Sequence, residues 1–191
     1  MNELRKIVVD LIDLTEREWL FFSTNLKIKA YKAKTQIVKE GCVAKNIYFI
    51  ESGLVRTYHL HAGKEINTYF ACDHQFISTF SSFINQSPSF ETLETIQDSV
   101  VYELSYQFLN QMYKESRKFE KLGRILAEKN YLCVLDRTYT MQTKTAKEKY
   151  LDFIQNYDEK ILRNVPQYQI ASFLGIEPES LSRIRKEISS S

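Results

Sequence analysis

The stretch "NIYFIESGLVRTYHLHAGKEINTYF", Asn46–Phe70, holds three runs rich in Ile, Val, Tyr, Phe and Thr, the residue types that favour strands. Gly53 separates the first run from the second, and Gly63 the second from the third. Each glycine stands where a tight turn needs a positive φ, and Gly41 in "EGC" has the same place upstream. Further short runs follow the same pattern: "TQIV" before the stretch, and "QFIS", "TLETI" and "VVYELS" after it. Many short strands with turns at short intervals, between about residues 27 and 105, predict an antiparallel sandwich or jelly roll. Phe70, Phe76, Phe80, Phe83 and Phe90 are expected to fill it.

Helical spacing brackets this region. Leu4, Ile7, Val8, Leu11 and Leu14 recur as on one helix face, and Thr15 with Glu18 three residues on forms a capping-box pattern for a second helix. After Tyr106 the helical period returns. A long segment carries Phe119, Leu122, Ile125, Leu126, Leu132, Val134 and Leu135 in a wide apolar stripe. Such a stripe fits two arrangements. One part packs on the β domain and the rest on a second copy of the chain, or the whole lies in a single-chain core. A further amphipathic helix carries Tyr150, Leu151, Ile154 and Tyr157.

The chain ends in "VPQYQIASFLGIEPESLSRIRKE", Val165–Glu187. Pro166 suits a first turn, Ile170, Ala171 and Leu174 an inner face, and Gly175 the left-handed residue that ends a helix. Pro178 opens the next helix, with Leu181 and Ile184 pointing inward at i, i+3 spacing. A small residue, a glycine turn and spaced apolar anchors make the helix-turn-helix pattern. Its second helix then presents Glu179, Ser180, Ser182, Arg183 and Lys186, with Arg185 near the edge. Arg183 suits a bidentate contact to guanine, Glu179 accepts from cytosine, and the serines bond a phosphate or a base edge. Gln167 and Gln169 on the first helix are placed to reach the DNA backbone. A plain helical hairpin with a solvated face fits the same residues.

Bulk properties exclude several classes. The chain has 191 residues, is 43% hydrophobic and 26% charged, and carries a formal charge of +2, so a coat of basic charge for polyanions is absent. From Thr140 onward eight Lys or Arg stand against seven Asp or Glu. No apolar run has the length of a membrane span, and the first residues mix acidic with apolar side chains, unlike a signal peptide. Cys42, Cys72 and Cys133 have neither disulfide nor metal-ligand spacing, so a reduced, cytoplasmic protein is expected. His59 and His61 alternate on one strand without a third ligand nearby, and no metal or other cofactor is expected. No phosphate loop or nucleophile elbow points to an enzyme.

Together these residues resemble the Crp–Fnr family of bacterial transcription regulators. "EGCVAKNIYFIESGLVRTY" is similar to the run through the first strands of the family's cyclic-nucleotide-binding-like jelly roll. "FISTFSSF" stands at its pocket-lining segment, the helix from about Arg117 to Tyr139 at its dimerisation helix, and "QYQIASFLGIEPESLSRIRKE" at its helix-turn-helix. The resemblance implies an α+β chain: an antiparallel β jelly roll with N-terminal helices (1–115), a long dimerisation helix (116–139) and a small all-α helix-turn-helix domain (140–191).

Two departures mark this member. Where nucleotide-binding relatives have a Gly-Glu pair for the ribose and an arginine for the cyclic phosphate, this chain has Ser78-Thr79 and Ser89, with Glu91 close by. A carboxylate there repels a phosphate, so no binding of cyclic AMP through the family's contacts is expected. Phe76, Ser78, Thr79, Ser89 and Glu91 are the pocket candidates. The pattern also stops after Lys186-Glu187, before the usual β-hairpin wing, as in shortened members from the Bacteroidetes lineage. The implied partners are double-stranded DNA with a near-palindromic operator, a second copy of the chain, RNA polymerase, and an unidentified small-molecule effector or none. The alternative is a jelly-roll module that binds a ligand or a protein and not DNA.

Overall fold

The computed structural model describes residues 1–189. Two N-terminal helices, α1 (Asn2–Ile12) and α2 (Glu16–Thr24), precede eight strands: β1 (Lys27–Tyr31), β2 (Gln36–Val38), β3 (Asn46–Ser52), β4 (Leu54–His61), β5 (Lys64–Cys72), β6 (Phe76–Ile77), β7 (Thr92–Thr95) and β8 (Ser99–Ser105). A short helix α3 (Phe80–Asn85) lies between β6 and β7. The strands form two antiparallel four-stranded sheets, in the orders β1-β8-β3-β6 and β2-β7-β4-β5. This is the jelly roll that the strand spacing predicts. Val55, Ala71, Leu93, Phe49, Ile50 and Val101 close its interior together with Leu4, Val8 and Phe22 of the N-terminal helices.

The turn between β3 and β4 admits only glycine. Gly53 has φ +133°, and a Cβ there would lie 2.7 Å from the Ser99 Cα on β8. Ile47–Ile50 before it and Leu54–Tyr58 after it are buried without a break, and β3 and β4 begin and end where the sequence predicts. β1 was not expected as a strand. Its Lys27, Ile28, Lys29 and Ala30 are all exposed, so it lacks the alternation of a half-buried strand, and its pairing with β8 and the packing of Tyr31 against the core hold it. Phe70 and Phe90 correct the expected filling: Phe70 faces out of the roll, and Phe90 is exposed.

α2 begins with the capping box that Thr15 and Glu18 predict. The Thr15 N–H donates to Glu18 Oε2 at 2.9 Å, and the Glu18 N–H donates to Thr15 Oγ1 at 3.3 Å. Lys118 Nζ sits 2.9 Å from the same carboxylate and ties α2 to the helix that follows the roll. The Thr15 N–H bond first, and Lys118 second, hold the Glu18 carboxyl at about 2, below its ordinary 4.5. A depressed carboxylate stabilises the fold fully above its unfolded value and loses that contribution as pH falls from about 4.5 toward 2. Glu18→Gln is therefore expected to cost about 1 kcal/mol at neutral pH in urea denaturation, with the gap to wild type closing across that acid window.

Five shorter helices and one long helix complete the described residues. α4 (Tyr106–Glu115) leads into α5 (Arg117–Thr143), which runs four residues past the predicted end at Tyr139. The apolar stripe of α5 divides in two. Phe119, Leu122 and Leu126 are buried against the roll and the N-terminal helices. Further on, Tyr131, Leu132, Val134, Leu135 and Tyr139 are each half or more exposed. After α5 come α6 (Ala146–Asn156), α7 (Glu159–Asn164), α8 (Gln167–Leu174) and α9 (Pro178–Ser189). Among the described residues no helix is long and apolar enough to cross a membrane, and no group of three or more His, Cys, Asp or Glu could hold a metal.

Candidate nucleic-acid interface

The C-terminal helices form a second core, shared with Leu54, Phe70 and Cys72 of the roll. Phe153 of α6, Ile161 of α7, Ile170, Ala171, Phe173 and Leu174 of α8 and Leu181 of α9 are buried together. Gly175 closes α8 at φ 64°. Its N–H reaches the Ser172 carbonyl at 3.2 Å, and the Ile176 N–H reaches the Ala171 carbonyl at 3.0 Å. This Schellman arrangement satisfies the last carbonyls of α8 and sends the chain straight into α9 at Pro178. Ile176 packs into the gap between the helices, and the Lys147–Glu187 ion pair at 2.5 Å ties α6 to α9.

α9 has two sides. Leu181 and Ile184 are buried, while Glu179, Ser182, Arg183 and Lys186 are exposed and Ser180 and Arg185 half-buried. The Arg183 guanidinium donates to Ser180 Oγ at 3.4 Å, which holds it over the helix surface. A guanidinium, hydroxyls, an ammonium and a carboxylate thus share one solvent face, the donor and acceptor set that reads base edges and phosphates.

On α8 the expected pair separates. Gln167 is exposed, as a backbone contact requires. Gln169 is not: it is 5% exposed, its Nε2 donates to Tyr168 Oη at 3.2 Å, and its Oε1 is buried without a partner. Its assignment to the DNA backbone is corrected, because α8 is packed against the roll as well as against α9 and leaves few outward positions. Tyr168, 58% exposed beside Gln167, takes the outward place that spacing assigned to Gln169.

The roll holds α8 by its edge. β5 is the outer strand of its sheet, so one row of its backbone groups has no strand neighbour. The Ser172 hydroxyl fills part of that row. It accepts from the Asn67 N–H at 3.1 Å and donates to the Glu65 carbonyl at 2.7 Å. Arg137 of α5 adds a bond to the Asn67 carbonyl at 3.1 Å and lies 4.1 Å over the Phe173 ring. Phe70 of β5 meets the same ring at 5.3 Å.

Beneath this contact lies a buried cation. Arg56 is 3% exposed and donates to the Asn67 side chain at 3.1 Å. It pairs with Glu94 at 2.7 Å and Glu65 at 2.7 Å, and stacks 4.1 Å from the Tyr58 ring. Burial works to lower its pKa, and the two carboxylates more than offset that, leaving it above its ordinary value. Asn67 thus joins the sheet, α5 and α8. No local sequence signal marks it, because its partners stand far away along the chain.

The pocket candidates are mostly engaged with their own chain. Ser78 Oγ donates to the Asn46 carbonyl at 2.9 Å. Ser89 Oγ donates to the Glu91 carbonyl at 2.8 Å and accepts from the Glu91 N–H at 3.1 Å. Glu91 accepts from the Thr68 hydroxyl at 2.5 Å. Phe76 packs edge-on against Phe49, and Thr79 is buried with its hydroxyl unpartnered. Only Ser89 and Glu91 are tied to one another.

Residues 28–116 match the family described as cyclic nucleotide-binding domain. No curated protein matches the chain. Among solved structures it is similar to FixK2 from Bradyrhizobium japonicum, with 18% identity, a TM-score of 0.74 and coverage of 86% of this chain and 85% of that one. The c-di-GMP responsive global regulator CLP from Xanthomonas campestris gives 16% identity and a TM-score of 0.71, with 92% of each chain covered. A protein from Eubacterium rectale described as a transcriptional regulator of the Crp/Fnr family gives 22% identity and a TM-score of 0.70, covering 93% and 85%. Residues 28–116 thus match the cyclic nucleotide-binding domain family, and the fold of the chain as a whole is similar to that of these solved structures.

Proposed function

We propose that the protein is a dimeric, DNA-binding transcription regulator whose α9 enters the major groove. The observation that carries this is the solvent face of α9, where Ser182, Arg183 and Lys186 stand out from a helix whose other side is buried. Residues 140–191 are the reader, 116–139 the dimerisation segment and 1–115 the sensor. A two-fold dimer sets the two α9 helices about 34–36 Å apart, one turn of a near-palindromic operator. Gln167 and Tyr168, exposed at the start of α8, are the phosphate contacts. Cyclic AMP is not the effector through the family's contacts, because serine stands at the arginine position and its hydroxyl is engaged by Glu91. RNA polymerase is the downstream partner.

Selection from a random DNA pool, followed by anisotropy titrations over a salt series, tests this. Arg183→Ala is expected to relax preference at one base pair, at a cost of about 1–3 kcal/mol on the selected site. Lys186→Ala is expected to weaken all sequences alike and lower the salt slope by about one. Cyclic AMP is expected to leave both unchanged. No enriched sequence, with salt-insensitive behaviour, would favour a ligand or protein-binding module instead, a reading that the balanced charge of the C-terminal region supports.

A further inference from the structure

A cavity of about 180 Å³ lies between the second half of α5, α6 and α8. Its walls are apolar and aromatic at Met141, Phe153, Tyr157, Phe173 and Leu174. Arg137 also lines it. One of its terminal nitrogens, Nη2, serves the Asn67 carbonyl, while the other, Nη1, is buried with no hydrogen-bond partner. A guanidinium stays charged, so an unpartnered donor on it is costly unless something accepts from it. Burial also pulls Arg137 below its ordinary value, the mark of a cation whose charge is not compensated locally. Lys149 at the same walls is half-buried, and the nearby Lys144 is paired with Asp152. Asp136 and Asp152 are the acidic groups of the lining, and the three cations outnumber them.

We propose that this cavity binds a small monocarboxylate with an aromatic body, its carboxylate accepting from Arg137 Nη1 and its ring lying among Phe153, Tyr157 and Phe173. The size suits that class, since an apolar cavity of roughly 150 Å³ takes up benzene. The cavity also survives dimerisation. Its α5 lining, Cys133, Arg137, Thr140, Met141 and Lys144, follows the i, i+4, i+7 spacing of one helix face, opposite the exposed Leu135 and Tyr139. An occupant would touch α5, α6 and α8 together, where the long helix passes into the reader.

The test needs no DNA, so its outcome is separate from that of the regulator reading. The full chain has three methionines, and their labelled methyl groups report from distinct places: Met141 lines the cavity, Met112 is in the roll's core, and Met1 is at the N-terminus. Benzoate is expected to shift Met141 saturably and leave Met112 and Met1 in place. Benzamide, its neutral isostere, is expected to bind roughly tenfold or more weakly, the worth of one charge-assisted hydrogen bond. Arg137→Gln is expected to remove the preference for benzoate. Because the isostere comparison uses the unaltered protein, a folding defect in that variant leaves the test standing. An unmoved Met141 at millimolar benzoate, equal binding of benzamide, or the same Met141 shift from sulfate alone would overturn the proposal.

Discussion

Leu135→Asp is expected to yield a monomer and to abolish operator binding at concentrations where the wild type is bound. Leu132, Leu135 and Tyr139 follow one another at spacings of three and four residues and are 60%, 50% and 60% exposed. That is the spacing a two-stranded coiled-coil seam uses, and in the proposed dimer a two-fold axis would place Leu135 near its own copy. Aspartate there sets two carboxylates against each other in a desolvated strip. An unpaired buried charge costs about 3–5 kcal/mol, so dimerisation should weaken by at least about a hundredfold. The C-terminal helices are expected to remain folded, because no residue of α5 belongs to their buried core. Sedimentation velocity reads the oligomeric state, and anisotropy reads the loss of the second half-site. A variant that stays dimeric would place the interface elsewhere.

The second large effect is on stability. Arg56→Leu removes the cation between Glu94 and Glu65, whose side chains are 15% and 38% exposed. Stranding the Glu94 carboxylate, the more buried of the two, costs about 3–5 kcal/mol, visible as a lower midpoint in urea at unchanged slope. The double variant Arg56→Leu/Glu94→Leu should recover much of that, because replacing a buried ion pair with apolar side chains is often close to neutral. If the double variant is no better than the single one, the damage comes from Tyr58 and Asn67 losing their neighbour, and the ion pair is a minor part of it.

The strands of the roll were legible where a run of strand-favouring residues and a turn residue agree. Gly53 between "ES" and "LV" fixes both neighbours, and the structure starts and stops β3 and β4 there. β1 was not legible, because exposed lysines carry no burial pattern. The apolar stripe of α5 was legible as a stripe, but periodicity could not say that it serves two different surfaces in turn. The end of α8 was read correctly because a left-handed glycine has a local cause. Its faces were not, because the Ser172 contact to β5 joins residues 105 apart with one hydroxyl. Arg56 escaped for a similar reason. A lone arginine on a strand reads as solvent-facing, and only the assembled sheet brings two glutamates and an asparagine to it.

Ser172 and Arg137 together occupy backbone positions that a ninth strand would otherwise take. While α8 stays in place, the rim of the sheet is sealed by a piece of the molecule to which the proposed function also gives a DNA contact. Any signal that lifted α8 wholly away would bare a sticky border, with Phe70 beside it, to other chains. In the proposed regulator, communication would therefore pivot α8 about its serine rather than release it, and a preparation in which that latch has failed should be recognised first by its tendency to polymerise.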